Sequence, residues 1–368
     1  MQCLLPEHGV FISPEGFLTS CCVSMHDRFG NIKNEHPITI FNGEIASKFR
    51  TDFNSGNLPY SCNQCINKEH YNLRTEKTRA IESVKTSNSK IVYADITLGN
   101  ICQLNCVMCN EVFSHTWAKI KNQPSKIWHI TPEKMEEILQ LLNGVSFIEI
   151  KGGDPFNMPY FKTFLDRLYE INPDVSLMFL TSGVFIHDSQ MESLKKFKNF
   201  NVGISLEADK ELYSYIRGGH HTIDTVFNNL KRLHENNLLT DSFYISSTLS
   251  FYNIDTWVED HVSISNRFEN YFGFKPNIAM NIVLMPELQS AFLASQTVRE
   301  KFYNDLLASD LTINKTSYRH ILEDRFNDNL NLEKIKGDIA YFDGIRNMRL
   351  LDIKPYLLGN LDERYKLL

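Results

Sequence analysis

Short apolar runs alternate with longer amphipathic stretches along the chain from residue 91 onward. The runs have the length of buried strands, and the stretches between them repeat apolar residues at helical spacing. This alternation is typical of repeated β-α units built around a parallel sheet. The predicted strands cover residues 91–96, 145–150, 176–180, 202–206, 243–249 and 278–284.

Helical patterns lie between the predicted strands. One begins at Thr131, where threonine can cap the helix and Pro132 suits its first position, and Met135 and Ile138 follow at helical spacing. The other predicted helices cover residues 160–169, 189–197, 222–234 and 255–266. Six β-α units in a row predict an α/β fold, either a partial parallel barrel or an open doubly wound sheet. In both architectures the chemistry lies at the carboxyl ends of the strands.

The two ends of the chain follow other patterns. In residues 1–88 the apolar runs are short and local turns dominate, so this segment is expected to need a metal centre for its stability. After Leu284 the chain is predicted to turn helical again, with candidate helices at 298–307 and 318–326 and a final stretch at 342–358. The predicted domains are therefore residues 1–88, residues 89–290 with the β-α units, and a C-terminal helical extension at 291–368.

Composition and charge narrow the class of protein. Of the 368 residues, 42% are hydrophobic and 22% are charged, which is ordinary for a globular chain. The formal net charge is −6 and neither sign forms a long block, so the sequence shows no nucleic-acid footprint. No apolar run approaches the ~18 residues of a membrane span, and Glu7, His8 and Glu15 interrupt any signal peptide. A cytoplasmic location is expected.

Eight cysteines carry the clearest chemical signal. In a reducing compartment, closely spaced cysteines indicate metal binding or catalysis more often than disulfides. Cys102, Cys106 and Cys109 directly follow the first predicted strand of the β-α series. Three thiolates at a strand end favour a centre with one open position, such as an iron–sulfur cluster. The alternatives are a zinc site that borrows a fourth cysteine and buried thiols without a metal.

With this Cys-x3-Cys-x2-Cys spacing after a strand, the sequence resembles the radical S-adenosylmethionine (SAM) superfamily. The resemblance implies a partial (β/α)6 barrel with a 4Fe–4S cluster at Cys102, Cys106 and Cys109. Gly152-Gly153-Asp154-Pro155, at the second strand end, resembles the family's Gly-Gly-Glu-Pro segment that binds the SAM amino group. Glycines allow close backbone approach and a carboxylate can pair with an ammonium, although the same residues also form ordinary turns.

The resemblance continues at the next two strand ends. Ser182, within Thr181-Ser182-Gly183, lies where the family has Thr-Asn-Gly. Ser205 and Glu207 resemble the segment that reaches the ribose and methionine of SAM, and Arg217 resembles the arginine that meets the SAM carboxylate. A guanidinium fork suits a carboxylate, although a solvated surface arginine is the competing interpretation of Arg217. The family usually has an aromatic residue at the position of Val107.

The other five cysteines form a second set near the amino end. Their layout resembles the auxiliary-cluster segment of twitch-domain radical SAM proteins, here placed before the barrel. The resemblance implies an auxiliary 4Fe–4S cluster held by Cys3, Cys21, Cys62 and Cys65, with Cys22 as a spare thiol or as the ligand in place of Cys21. A four-cysteine zinc site is the alternative, because Cys-x2-Cys is also a zinc half-site.

That subgroup also ends as this chain does. A sixth strand is followed by proline in Asn281-Ile-Val-Leu-Met-Pro286, and a terminal Asp-x2-Arg segment stands at Asp343 to Arg346. The resemblance therefore covers nearly the whole chain.

The family's chemistry follows from the resemblance as an expectation. SAM would be reductively cleaved, with flavodoxin or ferredoxin as reductant, to a 5′-deoxyadenosyl radical that abstracts a substrate hydrogen. The auxiliary cluster would accept an electron or shape the pocket in an oxidative modification, a dehydrogenation or crosslinking, of a small molecule or peptide. The alternative class is a non-catalytic zinc- or iron–sulfur-stabilised binding module or electron carrier. Catalytic residues are not assigned, since Lys151, His115 and Tyr252 near strand ends fit structural roles equally well.

Overall fold

The structure, a computed structural model, describes residues 3–70, 73–84, 89–218, 220–239 and 243–367. Gly219, which follows Arg217 and Gly218 in a segment that resembles the family's Arg-Gly segment, lies outside the described residues. Contacts divide the chain into two units. Unit 1 comprises Met1–Gln103, Asn110–Thr181 and Phe185–Val202, and unit 2 comprises Leu104–Cys109, Ser182–Val184 and Gly203–Leu368. The predicted domain boundaries near residues 88 and 290 were drawn from sequence pattern, whereas the two units are defined by contacts, so these boundaries stay a prediction.

Unit 1 is built on a mixed sheet in the order β3-β2-β1-β4-β5-β6. Its strands are β1 (Gly9–Ile12), β2 (Phe17–Thr19), β3 (Gly30–Asn31), β4 (Tyr93–Thr97), β5 (Phe147–Lys151) and β6 (Ser176–Thr181). Strand β1 pairs in parallel with β4, which pairs in parallel with β5, and β5 with β6. Strands β1, β2 and β3 form antiparallel pairs. The first segment of the chain thus extends the sheet that carries the β-α units, because the buried residues Val10 and Ile12 need an apolar neighbour.

Helices cover the sheet of unit 1. The α-helices are α1 (Leu5–His8), α2 (Pro37–Asn42), α3 (Glu44–Asn54), α4 (Asn63–His70), α5 (Glu76–Ser83), α6 (His115–Ile120), α7 (Pro132–Leu142), α8 (Phe161–Ile171) and α9 (Asp188–Leu194). Short 3₁₀ helices cover Cys22–Ser24, Tyr60–Cys62, Pro124–Lys126 and Pro155–Asn157. Helix α7 confirms the predicted start, because the Thr131 hydroxyl accepts the backbone N–H of Lys134 and Pro132 follows it.

Unit 2 contains parallel strands in the order β7-β8-β9. They are β7 (Asn199–Ser205), whose first residues belong to unit 1, β8 (Tyr244–Leu249) and β9 (Asn277–Ile282). The α-helices are α10 (Lys210–Arg217), α11 (Ile223–Glu235), α12 (Trp257–Phe272), α13 (Gln296–Ala308), α14 (Leu332–Arg346), α15 (Leu350–Ile353) and α16 (Arg364–Leu367). The 3₁₀ helices are Glu287–Gln289, Ala291–Leu293, Lys315–Leu322 and Leu357–Asn360. The predicted α/β architecture with parallel strands is confirmed.

The C-terminal region differs in detail from its sequence prediction. The stretch predicted as a helix at 318–326 is a 3₁₀ helix at Lys315–Leu322. Helix α14 begins at Leu332, ten positions before the predicted final stretch at 342. The side chain of Asn331 accepts the backbone N–H of Lys334 and starts this helix, a capping signal that apolar periodicity does not contain.

The described residues contain no helix with the length and apolar character needed to cross a bilayer.

Candidate functional site

The loop after β4 carries Cys102 in unit 1, and helix α6 holds its backbone. The backbone N–H of Cys102 donates to Nδ1 of His115 at 3.0 Å, and the Thr116 hydroxyl donates to the carbonyl of Cys102 at 2.8 Å. Burial lowers the pKa of His115, which suits a neutral ring that accepts a hydrogen bond. His115 therefore holds the cysteine loop in place, which is the structural role that the sequence left open.

The Gly152-Gly153-Asp154 segment packs against the same loop within unit 1. Gly153 has a φ of +52°, and a Cβ there would lie 2.5 Å from the carbonyl oxygen of Ile101. The backbone N–H of Asp154 donates to this carbonyl at 2.9 Å. Glycine is thus required because two backbones approach each other next to Cys102.

One carboxylate oxygen of Asp154, Oδ1, is hydrogen-bonded inside unit 1. It accepts the hydroxyl of Thr181 at 2.7 Å and the backbone N–H of Phe156 at 3.2 Å. This aspartate fixes the ends of β5 and β6 to one another, and its shorter side chain suits such local bonds. Its contact with the SAM amino group stays a prediction.

In unit 2, Cys106 lies beside a buried ion pair. Arg217 donates from Nη1 to Sγ of Cys106 at 3.5 Å, and Glu207 accepts from Nη2 at 2.7 Å. Burial opposes the charge on Arg217, but Glu207 and Cys106 outweigh it and hold the pKa of the guanidinium above its ordinary value. Burial raises the pKa of Glu207, and Arg217 counteracts it. The interpretation of Arg217 as a solvated surface cation is wrong, because its side chain is 10% exposed.

This arrangement fits a metal-bound cysteine. Metal-bound cysteines are thiolates, and a buried guanidinium held by its own carboxylate is a favourable neighbour for such an anion. Within unit 2, Val107 donates its backbone N–H to the carbonyl of Ile216 at 2.9 Å, and Cys109 donates its own to the carbonyl of Cys106 at 3.0 Å. The loop that carries Cys106 and Cys109 is therefore tied to the end of α10, where Arg217 lies.

Ser182 and Ser205 also lie in described parts of unit 2. Ser182 is buried, and its hydroxyl accepts the backbone N–H of Val184 at 3.3 Å. Asn229 supports this turn by donating to the carbonyls of Gly183 and Val184 at 2.9 and 2.7 Å. Ser205 is half-buried at the end of β7. Their contacts with SAM stay predictions.

The second cysteine set comes together in unit 1 as a group of four. Burial is the main reason that the pKa of Cys3 is raised to about 11, and the nearby Cys21 and Cys65 add to this rise. Burial is likewise the main reason that the pKa of Cys62 is raised to about 12, and Cys21, Cys3 and Cys65 add to this rise. The influences on Cys3 and Cys62 thus come from within the four thiols that the sequence grouped. Among the described residues, which include all eight cysteines, no disulfide forms.

Cys22 faces other groups. Burial raises its pKa well above the ordinary value, and the largest electrostatic influences are Lys151, Asp95 and Glu76, with Cys21 the last. Cys21 has an extended backbone, and the 3₁₀ turn begins at Cys22. The two thiols therefore have different surroundings, and the choice of Cys21 or Cys22 as ligand stays a prediction.

Charged residues that the sequence analysis did not assign lie in the same unit. Lys151 pairs with Asp95 at 2.8 Å and with Glu149 at 3.5 Å, and Arg79 pairs with Glu149 at 2.8 Å. Asp95 and Glu149 are each 1% exposed. They occupy paired positions of β4 and β5. A carboxylate at the same register in two apolar strands was the signal that could have found them.

The spacing of the sulfur ligands differs between a zinc site and an iron–sulfur cluster. In the described ranges, no group of three or more His, Cys, Asp or Glu side chains is arranged to hold a single metal ion. A tetrahedral zinc ion holds each sulfur at about 2.3 Å, whereas a 4Fe–4S cluster spreads its thiolates around a larger body.

Two family models match the chain. The radical SAM superfamily model matches residues 96–261, and the SPASM iron–sulfur cluster-binding domain matches residues 3–66. The chain therefore carries a radical SAM domain, with a SPASM/twitch-type iron–sulfur domain before it. Domains of these kinds bind 4Fe–4S clusters and SAM, so the predicted family and cofactors are confirmed.

Solved structures share parts of this fold. "Native anSMEcpe with bound AdoMet" matches with a TM-score of 0.43 and 15% identity, over 60% of this chain and 64% of that chain. Streptococcus suis SuiB bound to precursor peptide SuiA gives 0.43 and 15%, over 85% of this chain and 72% of that chain. HydG, a maturase of the FeFe hydrogenase, gives 0.40 and 16%, over 67% and 54%. The match thus spans less than two thirds of anSMEcpe, and the likeness concerns the fold alone.

No curated protein sequence matches the chain.

Proposed function

We propose that the protein is a radical SAM enzyme that reductively cleaves SAM and removes a hydrogen from its substrate in an oxidative modification. The proposed cluster ligands are Cys102, Cys106 and Cys109 for the SAM-binding cluster and Cys3, Cys21, Cys62 and Cys65 for the auxiliary cluster. The substrate is a small molecule or a peptide, and the modification is a dehydrogenation or a crosslink. Flavodoxin or ferredoxin is the proposed reductant.

One observation carries this proposal most strongly. Within the segment that matches the superfamily, Cys106 meets the buried Arg217 guanidinium, and Glu207 fixes that guanidinium from the other side. A structural zinc site or a simple carrier does not need a buried arginine to be prepared beside one cysteine. A cluster that binds an anionic ligand benefits from it, because the positive charge lies inside the protein where water screens it little.

The chain's own residues prepare the site. When bound, the cluster and SAM supply a one-electron cleavage whose product takes a hydrogen from the substrate. His115 and the glycines at 152–153 hold the loop of Cys102, and α10 holds the loop of Cys106 and Cys109. Glu207 orients Arg217 so that its N–H groups face Cys106. Gly152, Gly153, Asp154, Ser182 and Ser205 are the further proposed SAM contacts.

The auxiliary site is proposed as a cluster rather than a zinc ion. Burial and neighbouring thiols raise the pKa of Cys3, Cys21 and Cys62, and residues 3–66 match an iron–sulfur cluster-binding domain. An oxidative reaction needs an acceptor for the electron left on the substrate, and a second cluster supplies one.

The test is the metal content of protein purified without oxygen, with SAM cleavage measured on the same samples. We expect about eight irons, falling to about four in the Cys102/Cys106/Cys109 triple Ala variant, as for two cysteine-bound clusters. Under a strong reductant the wild-type protein should form 5′-deoxyadenosine and methionine, and the triple variant should not. Cys22→Ala is the matched control and should keep full iron.

Other results separate the alternatives. About four irons with one zinc would make the amino-terminal site structural and remove the electron-accepting role. A fully loaded protein that does not cleave SAM would refute the enzymatic proposal and favour a carrier. Iron absent from anaerobic protein would refute both cluster assignments.

A further inference from the structure

Arg346, at the end of α14, reaches the loop that carries Cys106. Its Nη2 donates to the carbonyl oxygen of Asn105 at 2.6 Å, and its Nε donates to the carbonyl of Tyr215 on α10. One guanidinium thus joins the residue before Cys106 to the helix that carries Arg217. The planar fork of arginine suits such a double hold, because its N–H groups have fixed directions.

The third nitrogen of this guanidinium, Nη1, makes no hydrogen bond to the described residues. This nitrogen is also buried. Burial lowers the pKa of Arg346, and Cys106 is the largest influence that acts in the opposite direction. Buried donors are normally satisfied, so this unpaired N–H indicates that an acceptor belongs there.

Gly218 brings these groups close together. Its φ is +70°, and a Cβ there would lie 1.9 Å from Oδ1 of Asn105 and 3.1 Å from Nη2 of Arg346. The Asn105 side chain therefore fits between Gly218 and Arg346 only because residue 218 has no side chain. The loop is held from both sides just before Cys106.

Helix α14 is itself anchored at two further places. The hydroxyl of Tyr215 donates to Asp343 at 2.8 Å, and the hydroxyl of Tyr252 donates to Asp338 at 2.5 Å. The helix, at Leu332–Arg346, lies outside the segment 96–261 that matches the radical SAM model. Helix α14, near the C-terminus, thus places the guanidinium of Arg346 at the loop that carries Cys106.

We infer that Arg346 is a positioning residue of the SAM-binding cluster, which holds the Cys106 loop and places positive charge beside it. The inference rests on the proposed function, in which Cys106 is a cluster ligand. The guanidinium keeps the loop in its binding conformation before the cluster is loaded. Once the cluster is loaded, it favours the reduced form, which carries one more negative charge.

The test compares Arg346→Gln, Arg346→Lys and the control Arg349→Gln. Arg349 lies three positions further along and is exposed, where it pairs only weakly with Asp352, so its loss removes the same charge without touching the loop. In the metal-free full chain, Arg346→Gln should speed hydrogen exchange of the amides of Val107 and Cys109 at least tenfold. The control should leave them unchanged.

In the loaded protein the readout is the midpoint potential of the cluster, followed by electron paramagnetic resonance. Arg346→Gln should lower the ratio of reduced to oxidised cluster about tenfold at a fixed potential, a shift of ~59 mV for one electron. Arg346→Lys should restore most of the potential but not the protection of the amides, because it keeps the charge and loses the fork.

Each arm can fail by itself. Unchanged exchange at Val107 and Cys109 in Arg346→Gln would refute the positioning role. A potential equal to that of the control in fully loaded protein would refute the charge role. Should the wild-type chain bind no iron, the proposed function fails while the exchange result still decides whether Arg346 holds the loop. Should Arg346→Gln not fold, Tyr215→Phe, which releases Asp343, is expected to give a smaller rise in exchange, and its absence would refute the hold.

Discussion

Gly153→Ala tests whether the glycine segment is required by close packing against the Cys102 loop. The φ of +52° costs an L-residue roughly 1–2 kcal/mol. The new Cβ would lie 2.5 Å from the carbonyl oxygen of Ile101 and 2.8 Å from the carbonyl carbon of Asn100, and backbone atoms yield little. Overpacking of this kind adds roughly 1–3 kcal/mol, so the substitution should cost about 2–5 kcal/mol.

Gly56→Ala is the matched control for this substitution. Gly56 also has a positive φ, +89°, but a Cβ there would meet nothing within 4 Å. Its replacement should therefore cost only the conformational part. Urea unfolding of the metal-free variants measures the free energy of unfolding, and their difference isolates the steric part.

Gly153→Ala should also impair iron binding at the SAM-binding cluster. Because Ile101 and Asn100 directly precede Cys102, Gly153→Ala should lower iron loading at the SAM-binding cluster, whereas Gly56→Ala should not. If both variants lost equal stability and kept equal iron, the packing argument for the glycine segment would be wrong.

Two further predictions concern single side chains. Cys21→Ser should remove the auxiliary cluster and about half of the iron. Cys22→Ser should keep the cluster, because Lys151 is the largest electrostatic influence on Cys22. The reverse pattern, measured as iron content of anaerobic protein, would exchange the two assignments. Burial lowers the pKa of His261 to about 4, so the folded chain keeps this ring neutral while the unfolded chain protonates it below about 6.5. The free energy of unfolding should therefore fall as the pH drops from about 6.5 to 4, by up to about 3 kcal/mol, and His261→Gln should flatten this part of the profile in urea unfolding at several pH values. An unchanged profile in the variant would show that other groups are responsible.

The sequence predicted much of the α/β framework because its signals are local. Apolar runs placed the parallel strands within a few residues, and Thr131 with Pro132 marked the start of α7. The cysteine spacings separated the two sets, three thiols in one loop and five near the amino end. Periodicity and spacing act between neighbours in the chain, so no tertiary information was needed.

The roles of several site residues could not be predicted in this way. The sequence left the choice between Cys21 and Cys22 open, and only the structure shows that Lys151 and Asp95 influence the thiol of Cys22. The motif did not reveal that Thr181 and Phe156 hold Oδ1 of Asp154, whose contact with SAM stays a prediction. Such details depend on which residues lie beside a motif in space.

What the sequence by itself determined is the order of the β-α units, the two cysteine sets and the resemblance to the radical SAM superfamily. Only the tertiary structure decided that β1 joins β4, that Glu207 holds Arg217 against Cys106, and that Arg346 reaches Asn105. The last pair is separated by 241 positions. Contacts over such distances follow from the packing of whole elements, because a side chain's partner is set by where its helix or strand docks and not by its neighbours in the chain.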